Sequence, residues 1–222
     1  MDVKEALAKR QSIRAYTAES VSREVIERIL EAAGKSPSGV NMQPWEVVVV
    51  QGKAKQELCD KVEKAFMEDL DDPADYQYYP EKWIEPFKSR RMACGLQMYE
   101  ALGIERKDKE RRKEQWAANY RAFDAPVVIY FLMKNHFGEG TYLDFGMFIQ
   151  SIALAAVEEG LGTCIQAALA DYPTIVKEAI GYADKDYRLI CGMALGYPDM
   201  AHPSNTYRTP REPISTFTTF ID

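Results

Sequence analysis

The chain has 222 residues, 46% of them hydrophobic and 28% charged, with a formal net charge of −6. That is enough for one domain with its own core, and it excludes disordered and fibrous classes. The acidic balance argues against non-specific nucleic-acid binding, which needs a basic surface. Four scattered cysteines, Cys59, Cys94, Cys164 and Cys191, show no CxxC spacing, so neither a disulfide framework nor a metal site is expected.

The start MDVKEALAKR carries no apolar core of signal-peptide type, and the apolar stretch Phe145 to Val157 is too short to span a bilayer, so a cytoplasmic protein is expected. Asp2 with Glu5 reads as a capping box for a first helix. A second helix is predicted from about Ser22 to Ala33, with Val25, Ile26, Ile29 and Leu30 as its apolar stripe. The loop GKSPSGVNMQPW follows, then a strand at Glu46–Gln51. Lys53 to Leu70 is predicted helical, the pattern dissolves over residues 71–86, and helical spacing returns from Lys88 to Gly103. Glu105 to Gln115 has no apolar stripe and reads as a solvated helix face. Ala125 to Met133 is a continuous apolar run, hence a buried strand. Thr141 to Glu159 is a long helix, apolar around most of its circumference, which must be buried in the core or against a second subunit. Gly160 to Pro173 reads as a loop, a helix starts near Asp171–Pro173 and ends at Gly181, and Tyr187 to Pro198 is a strand. The tail from His202 to Asp222 must dock on something to be ordered. The result is an α+β chain in which helices outnumber strands, without Rossmann or P-loop fingerprints.

Four stretches could carry chemistry. In KRQSIRAY, Arg10, Ser12 and Arg14 alternate where a helix turns extended, giving either a phosphate clamp or a solvated basic patch beside Glu19 and Asp2. In the loop before the first strand, Ser36, Ser38, Asn41 and Gln43 lie on a backbone stiffened by Pro37 and Pro44. They suit a polar heterocycle, or they are a helix cap and a turn. In GLGTCIQAALADYP small residues would let backbone N–H groups approach a ligand edge, while Cys164 has no histidine nearby to make it a nucleophile. In NTYRTPREP, Arg208 and Arg211 are exposed charges or the completion of an anion site.

Taken together and in order, RQSIR, SPSGVNMQPWEVVVV, GLGTCIQAALADYP, GMALGYPD and RTPREP resemble the nitroreductase family of flavin enzymes. The resemblance covers nearly the whole chain. It implies an α+β sandwich with a central, mostly antiparallel sheet flanked by helices, forming an intertwined homodimer with FMN at the subunit interface. By position, Arg10, Ser12 and Arg14 would contact the FMN phosphate and ribityl chain, joined by Arg211 and Arg208. Pro37, Ser38, Asn41 and Gln43 would line the ribityl chain and isoalloxazine from the partner subunit. Ile165, Gln166, Ala167 and Ala168 would bring backbone N–H groups to the flavin N5 and O4 edge. YYPEKWIEPFKSRRMACGLQMYEALGI is similar to an insertion in the branch with nitroaromatic and nitrobenzoate reductases, so one domain with a lid at about 71–118 is expected. Tyr76, Tyr78, Tyr79, Trp83 and Phe123 are then expected on the substrate side. Two departures stand out: Ile165 where the family often has Pro, and Ala122 where a second aromatic is usual. The implied activity is ping-pong reduction of nitroaromatic or quinone-like acceptors by NADH or NADPH. Dehalogenation, ene reduction and a non-catalytic flavin module are the alternatives.

Overall fold

A computed structural model describes residues 1–221; Asp222, the last residue of the expected tail, lies outside them. The helices are α1 (Val3–Lys9), α2 (Arg23–Ala33), α3 (Gly52–Met67), α4 (Phe87–Ala101), α5 (Lys109–Ala117), α6 (Thr141–Glu158) and α7 (Pro173–Ala179). The strands are β1 (Glu46–Gln51), β2 (Val127–Lys134), β3 (Gly162–Gln166) and β4 (Tyr187–Gly196). They form one antiparallel sheet in the order β1-β2-β4-β3.

The apolar run of β2 follows from its position. Val128, Tyr130 and Leu132 face a cluster built on Leu58 and Val62 of α3 and Val176 of α7. The alternating Val127, Ile129, Phe131 and Met133 face Ile26 and Ile29 of α2 and Phe148 and Ile152 of α6. A strand covered on both faces has no polar side to show. The caps agree with the sequence: Asp2 accepts from the Glu5 N–H at 2.8 Å, and Ser22 from that of Val25 at 3.4 Å.

One expectation is corrected. Residues 162–166 of the expected loop are a strand, paired with β4 from Gly162↔Gly196 to Gln166↔Gly192. Five residues with Gly at one end and Gln at the other carry too little pattern to reveal a strand, and tertiary pairing decides it. Within this single chain, helix α6 is buried on one side only. Phe145, Phe148, Ile152 and Ala156 are buried, while Leu143 is 75% and Met147 40% exposed, four residues apart on one flank.

The segment after α3 is tied to the sheet at its beginning. Asp72 accepts from the Thr174 and Ile175 N–H groups at 2.9 and 3.3 Å, capping α7. Asp75 pairs with Lys177 at 2.9 Å and accepts from the Leu189 N–H at 2.7 Å. Helix α4 farther along buries none of its residues.

Candidate functional site

The extended strip after α1 lies beside β3. The Ile13 N–H donates to Thr163 O at 2.9 Å, and Ser12 bridges Thr163 in parallel. The strip can come so close because residue 162 is glycine; a Cβ there would stand 2.5 Å from Ile13 Cγ1. The tail holds the other side. Asn205, almost fully buried, accepts from the Arg14 N–H at 2.8 Å and donates to Ala15 O at 2.9 Å and Asp199 O at 2.8 Å. Ile13 points into the protein, and its neighbours Ser12 and Arg14 therefore face a cavity of about 550 Å³.

Arg10, Ser12, Arg14, Tyr207, Arg208 and Arg211 line that cavity, and among the described residues no carboxylate does. Among the described residues, the guanidiniums of Arg10 and Arg14 have neither hydrogen bond nor ion pair. Burial, then the charges of Arg211 and Arg208, push the Arg10 pKa below the usual arginine value. Like charges converging with no acid between them call for an anion of at least one negative charge. The two tail arginines differ. Arg208 spends both terminal nitrogens on the carbonyls of residues 8, 9 and 10. Arg211 uses only Nη1, on Thr209 and Pro210.

A second cavity, about 490 Å³, is lined by Tyr76, Tyr78, Tyr79, Tyr142, Ile165 and Ala167 among others, and Gln150 of α6 lines both. Tyr76 is fixed by a 2.6 Å hydrogen bond from its hydroxyl to Ile190 O and by Tyr142, 5.3 Å away ring to ring. Burial pushes its pKa well up, so it stays a neutral phenol. Trp83 stands behind Tyr79 at 5.6 Å and does not line the cavity. Phe123 is buried on the other side, beneath the Arg14 guanidinium at 5.9 Å, and it too is absent from the aromatic wall. Gln166 donates to Asn119 O at 2.9 Å, while its Oε1 is buried without a partner among the described residues. Ala168 packs half-buried against the core.

The loop before β1 does not reach either cavity of its own chain. It is pinned to α6 instead: the Gly39 N–H donates to Asp144 at 3.1 Å, and Ser36 Oγ to Ser151 Oγ at 2.8 Å. Ser38 accepts from the Gln43 N–H at 2.9 Å, and the Gln43 amide donates to Asn41 O at 3.3 Å. Pro37, Asn41 and Gln43 are exposed, and Val40 is 99% exposed. Val40, Asn41 and Gln43 have φ of 45°, 57° and 47°, a left-handed conformation that costs a β-branched residue most. An exposed valine held at positive φ has a strained backbone without burial to repay it within the chain.

Composition and motif reading missed Gln150, Tyr142 and Tyr207. The one legible signal was Gln150, a polar residue interrupting the apolar stretch of α6. Cys164 is buried and its thiol is pushed up by burial, so no thiolate nucleophile stands there. No group of three or more metal-ligating side chains occurs among the described residues.

These features define a class: an antiparallel α+β chain whose arginine-lined cavity meets an aromatic one. The chain belongs to the Nitroreductase family, whose family model matches residues 7–197. It is similar to a 4-nitrobenzoate reductase of Nocardioides sp. (strain LMS-CY), 35% identical over 216 residues, 96% of this chain and 87% of that protein. It is also similar to a 4-nitrobenzoate reductase of Pseudomonas putida, 30% identical over 220 residues, 99% of this chain and 96% of that one. Among solved structures, the FMN and NADPH-dependent nitroreductase NfnB from Sphigopyxis sp. strain HMH superposes with a TM-score of 0.95 at 36% identity, all of each chain covered. The FMN-dependent nitroreductase NfnB from Mycobacterium smegmatis, solved in complex with NADPH, gives 0.92 at 29% identity with the same coverage.

Proposed function

We propose that the chain is an FMN-dependent oxidoreductase that uses NADH or NADPH to reduce nitroaromatic or quinone-like acceptors, working as a homodimer in the cytoplasm. The observation that carries this reading is the pair of cavities meeting at Gln150, one cationic and free of carboxylates, the other aromatic. FMN has a dianionic end and a flat heteroaromatic end, and the donor set fits both. Arg10, Arg14 and Arg211, with the Ser12 hydroxyl, bind the phosphate by charge-assisted hydrogen bonds. The residues from Ile165 to Ala168, of which Ile165 and Ala167 line the aromatic cavity, would offer backbone N–H groups to the isoalloxazine edge.

When bound, FMN supplies hydride exchange and two-electron storage. The chain's own residues bind, orient and exclude water. Tyr76, Tyr78 and Tyr79 offer aromatic faces to whichever planar ring enters, the nicotinamide first and the acceptor after it has left, which is a ping-pong order. Burial pushes the Tyr76 and Tyr79 phenols up, so these two stay neutral near neutral pH and admit neutral rings. No side-chain nucleophile is called for.

Residues 71–118 are a lid insertion within a single domain, and Tyr76, Tyr78 and Tyr79 are its part at this cavity. The homodimer reading rests on what one chain leaves open: the Leu143–Met147 flank, a helix α4 without buried residues, and the strained loop holding Pro37, Ser38, Asn41 and Gln43 away from its own cavities. A partner seated on α6 would receive that loop beside its flavin.

Purified protein is expected to be yellow, to bleach anaerobically with NADH or NADPH, and to recolour when a nitroarene is added. Protein that takes up no FMN after reconstitution sinks the proposal.

A further inference from the structure

By position Arg208 is expected at the phosphate, yet its geometry is that of a helix cap. Its Nη1 donates to Ala8 O at 3.0 Å and Arg10 O at 3.1 Å, and its Nη2 to Lys9 O at 2.9 Å. These are the last carbonyls of α1, which have no acceptor role within the helix. Helix α1 needs the help. It has seven residues, none of them buried, and so short a helix is marginal without outside contacts. Arg208 is itself held, its carbonyl accepting from Gln97 of α4 at 3.1 Å. Three residues before it, Asn205 fixes the backbone of Arg14 and Ala15 and accepts from the Gln11 amide at 3.1 Å. The tail therefore grips both ends of the strip whose two free guanidiniums, Arg10 and Arg14, face the cationic cavity.

We propose that Arg208 is a positioning residue: it orders the end of α1 so that Arg10 points into the cavity, and it does not itself bind the phosphate. The inference rests on the FMN reading above. A guanidinium fork spans three carbonyls, whereas a lysine ammonium keeps the charge on a single point and cannot reproduce the fork. The lysine variant thus separates a cap from a charge.

The test titrates FMN and riboflavin into flavin-free full-length protein and takes the riboflavin dissociation constant divided by the FMN one, a ratio that reports the phosphate alone. Arg208→Lys and Arg208→Gln are both expected to lower the wild-type ratio by about fivefold or more, and Arg10→Ala with Arg208→Lys is expected to lower it no further than Arg10→Ala alone, the mark of two coupled residues. A wild-type ratio in Arg208→Lys overturns the inference, as does an additive double variant, which would make Arg208 an independent phosphate ligand. Equal weakening of both flavins overturns it too, since that is mere destabilisation. Backbone amide exchange in the flavin-free Arg208→Lys protein should quicken over residues 6–13; unchanged exchange counts against the cap. Wild-type protein that binds neither flavin fails the FMN reading instead, and the exchange measurement still judges the cap.

Discussion

Arg10 and Arg14 illustrate why a lone motif stays ambiguous until its neighbours are known. An exposed arginine pairs readily with an acid, as Arg28 does with Glu159 at 2.7 Å, and such pairs contribute little. Among the described residues Arg10 and Arg14 have no such partner, in a chain whose net charge is −6. Changing either to Ala should weaken FMN binding by roughly 1.5–3 kcal/mol, the worth of a charged hydrogen bond, and leave riboflavin binding nearly unchanged. Fluorescence titration of both flavins checks this, and equal losses for the two would refute the phosphate assignment. The buried thiols make a second residue-scale test. Burial pushes Cys59 from 9.0 to about 11 and Cys191 to about 12. The folded state then holds these protons more tightly than the unfolded chain, so stability is complete below pH 9 and is lost as pH rises from 9 toward 11 and 12. Melting temperature should fall across that window, with less loss in Cys191→Ala than in the parent once their values at pH 8 are matched. A flat profile up to pH 11 would contradict it.

At the scale of elements, what the sequence makes legible is whatever burial writes as a pattern. Strand β2 is covered on both faces and shows it as an unbroken apolar run; α2 shows one stripe because only Ile26, Ile29 and Ala33 are buried. Strand β3 is silent because its pairing, not its composition, makes it a strand. The strain of the loop before β1 is silent for a different reason. Gly39 is the residue suited to a left-handed turn, yet the positive φ falls on Val40, Asn41 and Gln43, where contacts with α6 and Ser38 set it. The Arg10–Ser12–Arg14 spacing was legible as an alternation. Its junction with Arg211 was legible only through the family resemblance, because some two hundred residues of chain close that contact.

Gly162 shows how one element positions another. Gly162→Ala would drive a Cβ to within 2.5 Å of Ile13, and the strip carrying Arg14 would have to move off β3. Overpacking of this kind costs about 1–3 kcal/mol. Thermal melting should show that loss, FMN affinity should fall with it, and adding Ile13→Ala should restore part of both. An unchanged melting point would mean the strip is looser than its hydrogen bond to Thr163 implies.

For the whole molecule, the decisive surface is the open flank of α6. Leu143, Met147 and Gln150 follow one another at spacings of four and three, so they share one face, and the last of them lines both cavities. Whatever covers Leu143 and Met147 must therefore sit at the cavity wall. A second copy of the chain placed there would bring its own loop, with Ser38, Asn41 and Gln43, to flavin held by the first. Leu143→Glu with Met147→Glu tests this without touching a residue assigned to FMN. Both side chains are exposed in the single chain, so the cost to its own fold should stay within about 0.5 kcal/mol each. The expected outcome is a folded monomer by sedimentation and circular dichroism that has lost its yellow colour although Arg10, Arg14 and Arg211 are intact. A double variant that remains dimeric would move the interface elsewhere on the molecule. One that is monomeric and still holds FMN as tightly as the parent would show that a single chain completes the site, and that the strained loop serves some purpose other than the partner's flavin.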